Sequence, residues 1–312
     1  MESIIGKYLD YFLVPRACHR MFRESLLRTL DTLDNDTVQR RVNYYNRLST
    51  PSRLTNAVSV GSYRFPLFKR QRFSNYFLDL YQSLCYFQPH LCFDYLFGDV
   101  IHVPAQPTFV KSRPIAGDVA NSVVMKLDKH RHFCFLNDTI PFTQKRDMLV
   151  SRTTWAKASK ARTLLNRMFL NHPFCEVGKT WYEPDEDFPE SVKPFLTKQQ
   201  QLEYKFIACI EGNDVASNLK WVMSSNSIAV MPRPCYETWY MEGTLKPDYH
   251  YIEVRSDFSD LIDKLHYYCD HPAEAQAIID NAHAYVHQFL DLRQETALQV
   301  LVAKKYFDLT QP

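Results

Sequence analysis

The segment from residue 204 to residue 261 constrains the fold of this chain more than any other. Two apolar runs, residues 206–210 and 228–231, are separated by a polar turn and a helical pattern, and a third run follows at residues 251–254. Short apolar runs bounded by turn residues are typical of buried strands, and helices between them let successive strands run in parallel. The segment therefore predicts an α/β fold with a parallel sheet.

The same alternation extends over residues 145–290, whereas the first half of the chain is less regular. We expect an N-terminal domain over residues 1–145, a second domain over 146–290, and a C-terminal helix over 291–312 that packs back on the first. Outside the apolar runs above, the predicted strands are 93–103, 122–127, 132–136, 148–151 and 173–177. The predicted helices are 31–48, 75–87, 155–170, 217–224, 259–269, 272–287 and 296–306.

Charge and cysteine content exclude several classes of protein. The net charge of +2 argues against a nucleic-acid-binding protein, which usually carries a large basic excess. The eight cysteines are scattered without a CxxC pair, so we predict neither a disulfide framework nor a zinc site, and a reducing cytoplasm fits them. The N-terminal residues lack the pattern of a signal peptide, and no apolar run is long enough to span a bilayer.

Basic residues nevertheless cluster with aromatic ones at residues 64–73. Four cations alternate there with three phenylalanines: Arg64, Lys69, Arg70, Arg72, and Phe65, Phe68, Phe73. One interpretation is a solvated face with aromatic packing. The other is a patch for an anionic membrane surface or an anionic acceptor.

The polar turn after residue 210 is a candidate phosphate site. The chain contains only 7 glycines, and one of them, Gly212, lies at this strand exit. The free N–H groups at a helix start favour a phosphate, to which Ser217 and Lys220 could contribute. The alternative is an ordinary strand-to-helix turn, because the sequence is neither GxGxxG nor a P-loop.

A second candidate phosphate site follows the predicted strand at 148–151. Arg152 and the hydroxyls of Thr153 and Thr154 suit a diphosphate, since a guanidinium binds phosphate through two hydrogen bonds. The alternative is a surface arginine at a helix start. Because ligands bind beyond the carboxyl ends of parallel strands, residues 152–154, 212–217 and 231–242 are expected around one crevice.

Several motifs occur in an order that resembles glycosyltransferase family 90. In the second half they are EGNDVASNLKW (211–221), YETWYMEG (236–243), PDYHY (247–251) and SDFSDL (256–261). In the first half they are FDYLFGD (93–99), FVKSRP (109–114), KLDKHRHF (126–133) and PFTQK (141–145). The resemblance spans residues 75–290 and is strongest to the bacterial lipopolysaccharide and lipooligosaccharide core glycosyltransferases of the family.

The resemblance implies a GT-B architecture, in which two Rossmann-like domains face a cleft and a helical segment precedes them. It also implies inverting transfer from a UDP-sugar without an essential metal or other cofactor. The implied donor-binding residues are Arg152, Thr153, Gly212, Ser217, Asn218, Lys220 and Glu237. Two positions depart from many relatives, which have arginine in place of Asn218 and Arg-Gly in place of Arg152-Thr153.

An inverting transfer needs a base for the acceptor hydroxyl, and the resemblance implies Asp99. Asp99 is expected to end a strand, and a capping role is its alternative. The rival carboxylates are Asp94, Asp128 and Asp138. Three aromatic residues are expected either to stack on the uracil or a sugar, or to belong to the core: Tyr236, Trp239 and Tyr240. Glu237 and Glu242 are expected near ribose or sugar hydroxyls.

The resemblance therefore implies a cytoplasmic hexosyltransferase at the inner face of the bacterial inner membrane. Its expected partners are a UDP-hexose, a lipid-anchored oligosaccharide acceptor and the membrane surface, with no nucleic acid. The basic cluster and the basic helix at 155–170 fit an acidic acceptor. The alternatives are an NAD-dependent enzyme, against which the missing GxGxxG weighs, and a non-catalytic α/β interaction protein.

Overall fold

A computed structural model describes residues 4–14, 16–64, 73–153, 159–180 and 188–311. The helices are α1 (Ile4–Leu13), α2 (Arg16–Leu27), α3 (Asn35–Tyr45), α4 (Ser74–Leu84), α5 (Lys129–His132), α6 (Lys160–Phe169), α7 (Lys198–Gln201), α8 (Leu219–Met223), α9 (Leu261–Asp270), α10 (Pro272–His287) and α11 (Leu292–Thr310). The strands are β1 (Val58–Ser59), β2 (Cys92–Phe93), β3 (Tyr95–Leu96), β4 (Thr108–Val110), β5 (Arg113–Pro114), β6 (Ser122–Val124), β7 (Arg146–Thr153), β8 (Cys175–Lys179), β9 (Tyr204–Ala208), β10 (Ile228–Met231), β11 (Tyr236–Glu237) and β12 (Ile252–Glu253).

The chain divides into two compact units. The first unit comprises Met1–His132, Tyr236–Met241 and Phe289–Pro312, and the second comprises Phe133–Cys235 and Glu242–Gln288. The first unit therefore takes segments from distant parts of the sequence, whereas the second is interrupted only by residues 236–241. The domain boundaries expected from the sequence stay a prediction.

The second unit contains a five-stranded parallel sheet in the order β12-β10-β9-β7-β8. This confirms the α/β prediction. Every residue of β9 and β10 is buried, which explains why residues 206–208 and 228–231 read as apolar runs. In chain order the strand arrangement is 2-1-3-4-5, so the direction of winding changes between β7 and β9. Such a change opens a crevice at the carboxyl ends of the two strands.

Of the helices that pack on this sheet, α10 begins where the sequence predicts, whereas α6 begins at Lys160 and not at residue 155. The side chain of Ser159 accepts a hydrogen bond from the backbone N–H of Arg162 and thus caps α6. Pro272 is the first residue of α10, where the missing N–H costs nothing. Both helices contribute to one core with the strands, and its members include Leu165, Phe206, Ile252 and Ile278.

The first unit consists mainly of helices around small sheets. A three-stranded parallel sheet has the order β3-β4-β6, and the antiparallel pairs β1-β2 and β5-β11 are separate. Helix α11 packs against α2, α3 and α4. On α11, Glu295 is buried and binds Arg41 at 2.6 Å, Lys126 at 2.7 Å and the indole N–H of Trp239 at 2.7 Å.

Four local predictions are wrong in detail. The strand expected over 93–103 is interrupted and ends at Leu96, and the one expected over 132–136 is absent. In place of a strand start, residue 132 ends the short helix α5, which follows Asp128 with its left-handed φ of 53°. The helix over 217–224 is only the five residues of α8, and the helix over 31–48 is shorter than predicted, since α3 begins at Asn35 and ends at Tyr45.

Within the described residues, no helix has both the length and the apolar composition needed to cross a bilayer.

Candidate active site

The carboxyl ends of β7 and β9 lie next to each other at the change of winding in the second unit. Strand β7 ends at Thr153 and β9 ends at Ala208, and the two strands pair in parallel. The chain leaving β7 returns at Ser159 to begin α6, while the chain leaving β9 forms the Gly212 turn. The two predicted phosphate sites therefore lie at the same edge of the sheet.

Hydrogen bonds join the start of α6 to the Gly212 turn. The Ser159 hydroxyl donates to the carbonyl of Glu211 at 2.7 Å. The Arg162 guanidinium donates to the carbonyl of Ile210 through Nη2 at 2.9 Å and Nε at 3.2 Å. These bonds hold a half-buried arginine directly against the turn that follows β9.

Glycine at position 212 leaves room for this arginine. A Cβ at Gly212 would lie 2.9 Å from Nη2 and 3.1 Å from Cζ of Arg162, so a larger residue would displace the guanidinium. Burial lowers the pKa of Arg162, and the nearby charge of Asp214 opposes that shift. A cation that has lost much of its hydration gains strongly from a further anion such as a phosphate.

Arg152 and Thr153 are in place at the end of β7, but Arg152 is bound within the protein. Its guanidinium donates to the Glu176 carboxylate, to the Glu176 carbonyl at 2.9 Å and to the Pro194 carbonyl at 3.0 Å. Although burial raises the pKa of Glu176, the hydrogen bond and charge of Arg152 lower it overall. A diphosphate contact from Arg152 stays a prediction and would require it to exchange partners.

The residues after the Gly212 turn have different surroundings. Ser217 is half-buried just before α8. The Asn218 side-chain amide donates to the carbonyl of Ala208 at 2.9 Å, which ties the start of α8 to the end of β9. Lys220 is completely buried and pairs with Glu242. Asn218 and Lys220 thus stabilise the turn in this structure, and their contact with a donor stays a prediction.

Glu237 lies in the first unit, whereas the other predicted donor-binding residues lie in the second. Its buried carboxylate accepts hydrogen bonds from Arg113 Nε at 2.8 Å and from the Tyr44 hydroxyl. Trp239 is also buried and stacks on Tyr45 with ring centroids 3.7 Å apart, while Tyr240 is fully buried beside Phe289. The structure favours the core alternative for both aromatic residues.

Asp99 lies in a loop of the first unit rather than at the end of a strand. The loop follows β3 through Gly98, whose φ of 105° is one that glycine adopts without strain. Lys111 on the loop after β4 approaches the Asp99 carboxylate at 2.6 Å, and Arg131 of α5 lies 3.5 Å from it. The Asp99 side chain remains 25% exposed, so a substrate hydroxyl has access to it.

The rival carboxylates are engaged in internal hydrogen bonds or buried ion pairs. Asp94 accepts hydrogen bonds from Gln106 and Thr108. Asp138 is buried, pairs with Lys145 at 2.8 Å, and belongs to the second unit. Asp128 is nearly buried, its pKa is raised by burial, and it binds Arg131 at 3.1 Å. Among these carboxylates, Asp99 combines exposure with a position beside two cations.

Sequence reasoning overlooked the specific position of Arg162. It treated this residue only as part of a basic helix face. A signal was present, because Ser159 stands three residues before Arg162 in an N-cap pattern and one of the few glycines follows the neighbouring strand. Of the basic cluster at 64–73, Lys69, Arg70 and Arg72 lie outside the described residues, as does Thr154.

Comparison with known proteins identifies the family. The family model described as Glycosyl transferase family 90 matches residues 143–310. O-glucosyltransferase LpsA of Dichelobacter nodosus is 41% identical over 279 residues, covering 88% of this chain and 84% of that protein. Protein O-glucosyltransferase 2 of Danio rerio is 28% identical over 139 residues, covering 44% of this chain and 26% of that protein. The resemblance read from the ordered motifs is confirmed: this chain is a glycosyltransferase and belongs to glycosyl transferase family 90.

Proposed function

We propose that this glycosyltransferase moves a hexose from a UDP-sugar to the oligosaccharide core of a lipopolysaccharide or lipooligosaccharide, with inversion at the anomeric carbon. The name of the relative O-glucosyltransferase LpsA supports both the transfer of glucose and this class of acceptor. The observation that carries the donor assignment is the Arg162 guanidinium held against Gly212 at the carboxyl edge of the parallel sheet. UDP-glucose is the first donor to test.

The donor diphosphate would bind at this edge. Arg162 offers a desolvated cation, Ser217 and Thr153 offer hydroxyls, and Arg152 becomes a second cation after release from Glu176. Guanidinium groups bind phosphate oxygens in pairs and stabilise the charge that develops on a departing diphosphate. Two such cations would supply the stabilisation that other transferases obtain from a metal, which supports metal-independent transfer.

Asp99 would act as the general base. The salt bridge to Lys111 presents Asp99 as a carboxylate, the form that accepts a proton. The acceptor oxygen would bond to the anomeric carbon as its proton passes to Asp99. The bond from that carbon to the phosphate oxygen would break at the same time, and UDP would leave with the electron pair. A single displacement of this kind inverts the configuration.

The proposal includes a GT-B arrangement of the two domains and a cytoplasmic location at the inner face of the inner membrane. This location is proposed because a lipid-anchored acceptor would bring the enzyme to the membrane surface.

A donor screen tests the reaction. Purified enzyme would be incubated with a truncated core acceptor and UDP-glucose, UDP-galactose or UDP-N-acetylhexosamine, with and without EDTA. We expect one hexose donor to give product that EDTA does not reduce, with an anomeric configuration opposite to the donor's by NMR. Retained configuration would contradict the single displacement. Thermal stabilisation by NAD without stabilisation by UDP would contradict the donor class.

A substitution tests the base. Asp99→Asn should lower kcat by about 10²–10⁴-fold, the usual contribution of a general base, while UDP still raises the melting temperature. Asp118→Asn provides the control, because Asp118 is an exposed carboxylate in another loop of the same unit. Equal activity of the two variants would remove Asp99 as the base.

A further inference from the structure

The first two helices expose large apolar side chains. Phe12 and Leu13 at the end of α1 are 51% and 70% exposed, and Met21 and Phe22 of α2 are 77% and 63% exposed. We name these four residues the α1–α2 apolar surface. Single exposed apolar residues are common, but four within eleven positions are a local concentration of the kind that interaction sites show.

The inward sides of the same helices are firmly packed on the first unit. Lys7 is buried and pairs with Asp79 of α4. The ring of Tyr11 lies 4.6 Å from that of Tyr81, and the His19 ring lies 6.4 Å from the same tyrosine. Helices α1 and α2 therefore have defined inward and outward faces.

Helix geometry explains why Leu13 and Met21 point away from this packing. Successive residues differ by about 100° around a helix, so Leu13 lies about 200° from Tyr11, and Met21 lies about 200° from His19. The two outward positions are thus nearly opposite the two packed rings. Their exposure follows from the register that the inward contacts fix.

Positive charge accompanies the apolar surface. Residues 16–28 contain four arginines, at positions 16, 20, 23 and 28, against the one acidic residue Glu24, which gives the segment a net charge of +3. The whole chain carries only +2, so the remainder is slightly negative. A symmetric dimer through this surface would bring two such basic segments together, which is unfavourable. An anionic surface would complement them.

We propose that the α1–α2 apolar surface docks onto an anionic lipid bilayer, with the apolar side chains entering the interface and Arg20 and Arg28 contacting lipid phosphates. Helices with apolar side chains on one side and basic residues beside them bind membranes in this manner without crossing them. This surface differs from the basic cluster at 64–73. The docking rests on the proposed function only in that a lipid-anchored acceptor gives it a purpose.

Vesicle flotation of the full-length protein tests the proposal. The protein would be mixed with vesicles of phosphatidylcholine alone or of phosphatidylcholine with phosphatidylglycerol, at low and high salt. We expect binding to the anionic vesicles, weakened by salt, and at least about tenfold weaker binding for the double variant Leu13→Asp/Met21→Asp. Arg20→Glu/Arg28→Glu should weaken binding at least about twentyfold, since each arginine near an anionic surface contributes about fivefold.

Phe195→Asp is the matched control, because Phe195 is 71% exposed but lies in the second unit. It should bind anionic vesicles as the unaltered protein does. Circular dichroism and thermal melting would check the fold of each variant, and the arginine variant retains every apolar side chain if the aspartate variant fails to fold. Wild-type binding by both double variants, or equal binding to the two vesicle types, would overturn the proposal. So would a dimer in sedimentation velocity that either double variant dissociates.

The vesicle measurement needs neither donor nor acceptor, so its failure leaves the proposed reaction unaffected. Transfer to a water-soluble core oligosaccharide measures that reaction separately. We expect the docking variants to retain it, while transfer to an acceptor embedded in anionic vesicles falls with vesicle binding.

Discussion

The two units of this chain differ in how much of their interior consists of apolar strands, although each also contains a buried ion pair. In the second unit, five parallel strands supply a continuous apolar core in which residues such as Phe206 and Ile207 are completely buried. In the first unit, short strands alternate with loops, and buried ions connect segments far apart in the chain. Glu295, for example, binds Arg41 and Lys126 from 254 and 169 residues away.

The difference shows what local sequence patterns can reveal. An apolar strand is visible in four or five consecutive residues, so the second unit can be read from the sequence. A buried ion pair depends on two residues whose proximity only the folded chain creates, so the first unit cannot be read in this way. A buried charge also costs much more than a buried methyl group when its partner is removed. Stability measurements can therefore test the comparison.

The largest expected effect is in the first unit. Glu295→Gln leaves Arg41 and Lys126 buried without their counter-charge and should lower the free energy of unfolding by about 3–5 kcal/mol. Urea denaturation of the purified protein would measure it. A loss below about 1 kcal/mol would show that the buried ions of the first unit do not stabilise it.

The stabilisation from Glu295 should also depend on pH. Burial alone would raise the pKa of Glu295, but the charges of Lys126 and Arg41 lower it overall. The stabilisation from this group is thus complete above the pKa of an unfolded glutamate, about 4.3, and is lost as pH falls through the lower folded value. The stability difference between wild type and Glu295→Gln should shrink as pH falls below about 4, as denaturation at several pH values would show.

The next effect concerns binding at the edge of the second unit. Arg162→Gln should weaken UDP affinity by about 10–100-fold, because hydrogen bonds to charged groups contribute about 1.5–3 kcal/mol. Isothermal titration calorimetry would measure the affinity. Arg167→Gln removes an exposed arginine from the same helix and should change it less than about twofold. Similar UDP affinities for the two variants would show that Arg162 does not contribute to donor binding.

A smaller effect is expected in the apolar core of the second unit. Ile207→Val removes one methylene from a completely buried side chain and should cost about 0.5–1.5 kcal/mol. Chemical denaturation under the conditions used for Glu295→Gln allows a direct comparison. A loss of unfolding free energy equal to that of Glu295→Gln would show that the buried ions of the first unit are no more sensitive to substitution than the apolar core of the second.

The smallest effect is at the exposed end of α11. Asp308 pairs with Lys304 at 2.6 Å, but both side chains are about half exposed. Asp308→Asn should change the free energy of unfolding by less than about 0.5 kcal/mol, since water screens such pairs. Like Glu295→Gln, Asp308→Asn removes one carboxylate charge from α11. A comparable loss of unfolding free energy in both variants would show that the effect of Glu295→Gln does not come from burial of the charge.

The accuracy of the sequence predictions follows the same division. Strand β10 and helix α10 have the predicted bounds, because an isolated apolar run and a first-turn proline mark them locally. The strand expected over 93–103 was too long, since its apolar pattern continues into a loop that Gly98 redirects. The predicted turn at Gly212 is present, but the cation held against it, Arg162, comes from helix α6.

The sequence by itself determined the parallel α/β class, the turn at Gly212 and, through its ordered motifs, the glycosyltransferase family. These features are encoded in short contiguous stretches. Only the tertiary structure decided that Arg162 lies against Gly212, that Lys220 pairs with Glu242, and that Trp239 is a core residue. The reason is physical: each of those contacts joins side chains from separate segments, and burial and pairing exist only after the chain has folded.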